Sequence, residues 1–327
     1  MKTLLYFIAF SILPIALSAQ ENYVNNVTNS ATPGANNTLV GSGAGVAITN
    51  AGQNTFFGRL AGYRNTTGPS NTFMGFQAGF SNTSAESNTF IGLQAGYSTT
   101  TGSFNTILGR DAGFSNTTGS SNTFLGILAG YRNNSGSNNT YVGREAGWSN
   151  TIGSDNVYVG LQTAFQNTTG SSNAFVGREA GFFNNTGSYN VFMGTLAGYM
   201  NTSGGMNTFI GHQSGYGSTT STSNAFLGYQ SGFNITTGSN NTFTGYEAGF
   251  NNTTGSSNAF VGTLAGGRNS SGSYNSFFGR ETGFFNTTGS SNTFLGPLAG
   301  SNNTSGSNNT YILAERLAIL TLLAMVM

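Results

Sequence analysis

Apolar residues in this chain recur in a fixed frame of 17 residues. From Asn37 to Asn308 the frame repeats sixteen times without insertion or deletion, and a seventeenth copy begins at Asn309. Numbered from its opening asparagine, the unit reads Asn-Thr-Phe-aliphatic-Gly-x-x-Ala-Gly-aromatic-x-Asn-Thr-Thr-Gly-Ser-x with small variations, as in residues 122–138. A short fixed period marks one layer of an elongated array, because a single unit cannot bury its apolar face alone. The expected fold is all-β: a β-solenoid or β-roll of short strands, with about sixteen 17-residue coils. A globular enzyme is not expected.

Glycine fixes the corners. Position 5 is glycine in all sixteen complete units, including Gly58, Gly75, Gly92, Gly109, Gly126 and Gly143. Position 9 is glycine in all but one, where Ala164 replaces it. Glycine required at one point of every layer implies positive φ or close backbone approach. The closing Asn-Thr-Thr-Gly-Ser has the residue types of a turn. Two short strands per coil are therefore expected, Asn-Thr-Phe-aliphatic before the first corner and Ala-Gly-aromatic-x-Asn after it.

In-register stacking at ~4.8 Å per coil turns each position into a column and gives a rod on the order of 75 Å long. Position 3 becomes an aromatic column that includes Phe56, Phe73, Phe90, Phe124, Phe175 and Phe192, with Ile107 as an exception. Position 10 becomes a second, from Tyr63 and Phe80 through Trp148 and Phe165. Asparagine columns at positions 1 and 12 can pass amide hydrogen bonds from coil to coil, as in other stacked β structures. Position 4 is an aliphatic column (Val40, Ile91, Leu125, Val176, Leu295). Adjacent strand residues point to opposite faces, so columns 3 and 4 cannot both fill the same interior. Either a broad, curved coil covers both, or the second column is covered by self-association, lateral or trimeric.

Charge adds a longer period. Leu60, Leu128, Leu196 and Leu264 hold position 7 at intervals of 68 residues, four coils. Acids take that position at Asp111, Glu145, Glu179, Glu247 and Glu281, never in adjacent coils. Like charges are thus kept ~9–10 Å apart or more. Arg110, Arg144, Arg178 and Arg280 each precede an acid. These are expected to be solvated corner pairs that limit edge aggregation and add little stability.

Only 6% of the residues are charged and the formal net charge is +1, which argues against nucleic acid or an anionic membrane as partner. The 27 Phe and 14 Tyr argue for an ordered chain despite abundant Gly, Ser, Asn and Thr. There is no cysteine, so disulfides and thiolate zinc sites are excluded.

Residues 1–19 read as a secretory signal peptide: Lys2, an apolar run from Leu4 to Leu17, then Ser18-Ala19. That run is short for a membrane anchor and contains Pro14. Residues 20–36 form a polar lead-in or N-terminal cap, and residues 37–312 the repeat domain. Residues 313–327 are an atypical apolar tail, read either as a cap or as a truncated or frameshifted end, because Leu313 stands where every full unit has glycine.

Catalytic chemistry is sparse. His212, the only histidine, sits at variable position 6 and is expected to be a surface corner residue. The serines and threonines have no base placed beside them in the frame. No calcium-loading Asp-bearing nonapeptide is present, and no cofactor or metal site is expected. The Asn-x-Thr/Ser triplets, such as Asn65-Thr66-Thr67, are formal glycosylation sequons that recur because the turn recurs.

The unit Asn-Thr-Phe-Leu-Gly-x-x-Ala-Gly-x-x-Asn-Thr-Thr-Gly resembles the 17-residue Asn-Thr-Ala-Val-Gly-type repeat of bacterial surface and tail-fibre-like proteins. It is more distantly similar to the YadA-like head repeat of trimeric autotransporter adhesins. The resemblance spans about Asn37 to Ile312 and implies a trimeric, extracellular, adhesive or fibre-forming stalk. The segment Ser18-Ala19-Gln20 also looks like the end of a Bacteroidota signal peptide. Two departures stand out: phenylalanine at position 3, where the family commonly has alanine, and the break at Leu313, read as the loss of a following anchor module from this frame.

The expectation is an exported, non-enzymatic adhesin or fibre segment at the bacterial cell surface, outer-membrane-associated or secreted. It would self-associate as a homotrimer or laterally, with exposed corners contacting a host surface or glycan. The alternative is an ice-binding solenoid using threonine arrays at position 2 (Thr55, Thr72, Thr89, Thr106, Thr123, Thr140) and at 13 and 14. Against it, position 2 drifts to Val157, Ala174, Val191, Ala225 and Ala259.

Overall fold

A computed structural model describes Gly34 and residues 36–313. The expected signal peptide, nearly all of the lead-in and the tail beyond Leu313 lie outside the described residues. The chain is a β-solenoid in which each coil contributes one three-residue strand, from β1 (Thr38–Val40) to β17 (Thr310–Ile312). All seventeen strands join a single parallel sheet. Every pairing is offset by one frame: Thr55 faces Thr72, Phe56 faces Phe73, and Phe57 faces Met74. No described residue is helical.

Strand alternation decides which apolar column goes inside. Position 3 points inward and is buried in every coil from Leu39 to Phe294. Position 4 points outward, and several of its side chains are largely exposed, such as Phe57 at 56% and Leu227 at 51%. The broad coil that would have covered both columns is not formed. The interior is one continuous core in which the position-3 rings pack against the position-8 alanines, such as Ala61, Ala78 and Ala95. Phe56, Phe73 and Phe90 stack face to face with centroids 4.8 Å apart. The phenylalanine column thus lies inside the coil, away from the outer face of the sheet.

The second expected strand does not form. Positions 8–11 are turn rather than strand in every coil. The amide of position 8 donates back to the carbonyl of position 5, as from Ala61 to Gly58 at 3.2 Å, and position 12 donates to position 9, as from Asn65 to Gly62 at 3.0 Å. Two consecutive turns therefore replace a strand. The first places position 7 at positive φ, as type II turns require of their third residue. After the first coil, which has Gly43 there, its occupants are not glycine: Leu60 has φ 59°, Glu145 59° and Gln230 50°. The segment still stacks, because Gly62 donates to Ala78 and Arg64 to Phe80 of the next coil, at 2.9 and 3.0 Å.

Backbone approach explains the corner glycines. Gly126 has φ 140°, and a Cβ there would lie 2.5 Å from the Gly143 carbonyl oxygen. Gly58, Gly75, Gly92, Gly109 and Gly143 share this conformation, with φ between 135° and 143°.

Asparagine closes the third side. In column 12, Asn133 donates to Asn116 Oδ1 at 2.9 Å and to the Gly136 carbonyl at 2.8 Å. The first bond ties adjacent coils, and the second closes the bend within a coil. In column 1, the backbone amide of Asn122 donates to Asn105 Oδ1 at 2.9 Å, while its side chain donates to the Gly136 carbonyl at 2.9 Å. Both columns are largely buried, so these amides replace water for backbone groups that would otherwise be orphaned; the Asn54 side-chain nitrogen is the exception and has no partner.

Candidate interaction surface

The sheet's outer face consists of columns 2 and 4. Column 4 is apolar in every coil from Val40 to Ile312 except Thr244. Column 2 is threonine in the first seven coils and mixed thereafter. Parallel strands usually have both faces covered, because the crossover elements lie on them. Here the coil's own turns cover only the inner face. An apolar stripe running the length of a rod of ~4.8 Å layers exceeds the patch a monomer ordinarily leaves in water.

Column 10 is a second aromatic stack, half-buried at the turn. It runs without interruption from Tyr63 to Phe250, with ring centroids 5.0–5.7 Å apart. Its ring faces are spent on one another. Arg132 lies 4.1 Å over the Trp148 ring and Arg64 5.4 Å over Phe80, so arginines at position 11 cover part of the stack. Gly267 interrupts the column, and a Cβ there would come within 2.9 Å of Phe284, which leans across the gap.

The corner ion pairs form but are only half solvated. Arg144 Nε contacts Glu145 Oε1 at 3.0 Å with the arginine side chain 65% exposed and the glutamate 12% exposed. Arg110–Asp111, Arg178–Glu179 and Arg280–Glu281 repeat the arrangement. Among the acids at position 7, Glu145 also meets the next coil, where Gln162 donates to its Oε2 at 2.7 Å. Gln94 with Gln77 and Gln230 with Gln213 make the corresponding neutral bonds at 2.8 and 2.7 Å. Position 7 therefore carries three short polar rungs, separated by coils that place leucine there.

Hydroxyl groups divide by column. Position-13 threonines donate to the carbonyl of the same position in the next coil, as Thr66 to Thr83 at 2.8 Å and Thr236 to Thr253 at 3.0 Å. Position-16 serines accept from the preceding coil's amide, as Ser120 does from Ser103 at 3.1 Å. Both sets are engaged within the solenoid.

His212 stacks on Tyr229 with ring centroids 5.3 Å apart, and Tyr229 stacks on Tyr246 in turn. Among the described residues no three His, Asp or Glu side chains converge in a way that could hold a metal ion. The sequon asparagines of column 12 from Asn65 to Asn286 are fully buried and their amides are engaged, as that of Asn65 is by the Gly68 carbonyl. A folded chain cannot present them for glycosylation.

Three buried hydroxyls lack a hydrogen-bond partner, Thr99 in column 12 and two in the aromatic core. Tyr141 and Tyr158 take column-3 positions with their phenolic oxygens buried and without a hydrogen-bond partner. Burial pushes both well above the ordinary tyrosine range, and for Tyr141 the neighbouring Tyr158 adds to the effect. The nearby amides of Asn156 and Asn173 oppose the shift without reaching hydrogen-bonding geometry.

The chain matches no protein-family model, no curated protein and no solved structure.

Proposed function

We propose that this protein is an exported, non-enzymatic structural repeat protein that acts at the bacterial cell surface as an adhesive or fibre-forming rod. The observation that carries this reading is the apolar outer column at position 4, present in sixteen of seventeen strands and pointing away from the core. A column so long and so regular is suited to contact with another elongated body, above all a second copy of the same chain. The low charge and the recurrence of equivalent corners support recognition spread along the rod rather than held in a pocket. The signal-like residues 1–19 and the resemblance to bacterial surface repeats support export.

Expression of the full chain with its own N-terminus, followed by protease treatment of intact cells, tests the placement. Degradation of the repeat without cell lysis is the expected result. Retention of an intact, protease-protected protein in the cytoplasmic fraction would overturn it.

The ice-binding alternative retains one favourable observation. The column-2 threonines from Thr38 to Thr140 form an unbroken outward row on a regular sheet. The position-13 threonines cannot contribute, since their protons are already donated within the solenoid. A null thermal-hysteresis measurement removes this alternative.

A further inference from the structure

Position 17, the last residue of each coil, has positive φ throughout, near 60°. Most coils place Ser, Asn, Asp or Gln there. Asparagine and aspartate tolerate this conformation, whereas bulky side chains rarely adopt it. Phe104, Tyr189 and Tyr274 break the pattern, with φ of 61°, 61° and 60°. They are also among the most exposed large side chains of the described residues, at 58%, 68% and 69%. Each therefore combines an unfavourable backbone conformation with an aromatic ring held in water. The backbone conformation is held, as in the neighbouring coils, by an amide bond to the preceding coil (Phe104 to Glu86 at 3.1 Å, Tyr189 to Ser171 at 3.1 Å, Tyr274 to Ser256 at 3.0 Å), but the exposure of the rings is not offset by packing within the chain. Bulky rings kept in water at a position that disfavours them point toward contact with a ligand.

The setting narrows the ligand. The aromatic stacks of the solenoid run along columns 3, 6 and 10, so the faces of these three rings are not spent on one another. The residues on either side in column 17 are Ser87 and Ser121, Ser172 and Met206, and Ser257 and Ser291. Except at Met206, each apolar spot is one ring wide, too small for the desolvated centre of a protein interface. Each ring's own coil carries an exposed hydroxyl residue three positions earlier: Thr101, Thr186 and Ser271. Glu86 and Asp155 are the only charged residues at positions 13–17 of any coil. A lone aromatic face beside hydroxyls on an almost uncharged edge matches a neutral sugar, whose ring has an apolar face and a hydroxylated rim.

The three rings share one column at intervals of 85 residues, five coils. That interval differs from the 68-residue period of position 7, so the rings are not copies carried along by the four-coil block. Five layers span ~24 Å, so the outer pair lie ~48 Å apart on one edge of a stiff rod. One extended chain can meet all three.

We propose that Phe104, Tyr189 and Tyr274 form a three-point binding edge for a neutral polysaccharide. The inference deepens the adhesive reading above by naming the ligand class, and it rests on that reading. Each ring stacks on one sugar, and the rigid spacing converts three weak contacts into one stronger attachment.

The test is affinity electrophoresis of the full chain in native gels containing a neutral β-1,4-glucan, a β-1,3-glucan or a galactomannan. Comparison proteins carry Phe104→Ser, Tyr189→Ser and Tyr274→Ser, singly and together. Serine is common at this position, so folding is expected to survive, and circular dichroism with thermal melting verifies it. Retardation by at least one polysaccharide is expected, weakened several-fold by each single change and by about 100-fold or more in the triple variant. Absence of retardation in all three gels, or equal retardation of the triple variant, overturns the proposal. So does ring-dependent binding to an immobilised gelatin coat without polysaccharide binding, which would assign the edge to a protein partner. Surface exposure of the triple variant on intact cells is scored in parallel: its persistence leaves the adhesive reading standing if the glycan inference fails.

Discussion

Asn150 donates one amide proton to Asn133 Oδ1 at 2.7 Å and another to the Gly153 carbonyl at 2.9 Å, both fully buried. Its own oxygen accepts from Asn167 at 2.8 Å. One side chain thus joins three coils and closes the bend of its own. Asn150→Ala removes all of these bonds and strands the Asn133 oxygen and one Asn167 amide proton, while the Gly153 carbonyl keeps its bond from Asn139 at 2.9 Å. A loss of about 2–4 kcal/mol is expected, measured by denaturant unfolding against the wild type. Asn303→Ala, near the exposed final coil, should cost less than half as much.

The lone exception at position 9 offers the opposite sign. Ala164 adopts φ 51°, where the other coils have glycine. Ala164→Gly relieves the left-handed strain at some cost in unfolded-chain entropy, and a net gain of about 0.5–1 kcal/mol is expected. The reverse change in the preceding coil, Gly147→Ala, places a Cβ 2.6 Å from the Tyr141 ring and should destabilise. Thermal melting of the two variants should show shifts in opposite directions.

Gly126→Ala brings a methyl group against the Gly143 carbonyl, a backbone atom that cannot move without separating two coils. A cost above about 3 kcal/mol is expected. Hydrogen exchange should locate it, with protection lost first in the strands Thr123–Leu125 and Thr140–Val142 and retained at the distant ends of the sheet.

Tyr141 and Tyr158 supply a pH dependence. Burial raises both phenols above their unfolded value of about 10, so the folded state keeps protons that the unfolded chain gives up. Their contribution to stability is fully present below pH ~10 and is lost as pH rises through the folded values. Tyr141→Phe combined with Tyr158→Phe should flatten this alkaline loss. It should also stabilise the neutral protein by about 1–3 kcal/mol, since two unpartnered hydroxyls leave the core. Unfolding free energies at pH 7 and pH 11 decide both points.

Much of this architecture is legible in the repeat. The constant frame gives the in-register stacking of Phe56 on Phe73, and the burial of Asn133 and Phe124 follows from their fixed positions. The second strand was not foreseeable as absent, because the residue that turns the chain leaves no mark: position 7 has positive φ whether it holds Leu60, Gln94 or Glu145. The bridge between coils stabilises that conformation without glycine. Alternation alone puts Phe124 and Leu125 on opposite faces but does not say which is inside. The neighbours decide it, since small residues at positions 8 and 9, alanine and glycine in most coils, leave room for a ring. The half-burial of Glu145 escaped for a related reason, as its partner Gln162 lies one coil away rather than next to it in sequence.

We propose that the outward column at position 4 drives self-association. Light scattering coupled to size exclusion, on the folded full chain at micromolar concentration, tests it most directly. A mass of several chains is expected, falling to that of one chain when Phe57, Ile91, Leu125 and Leu227 are all replaced by threonine, the residue this column already accepts at Thr244. A well-folded wild-type monomer, or an assembly unchanged by the four substitutions, would contradict it.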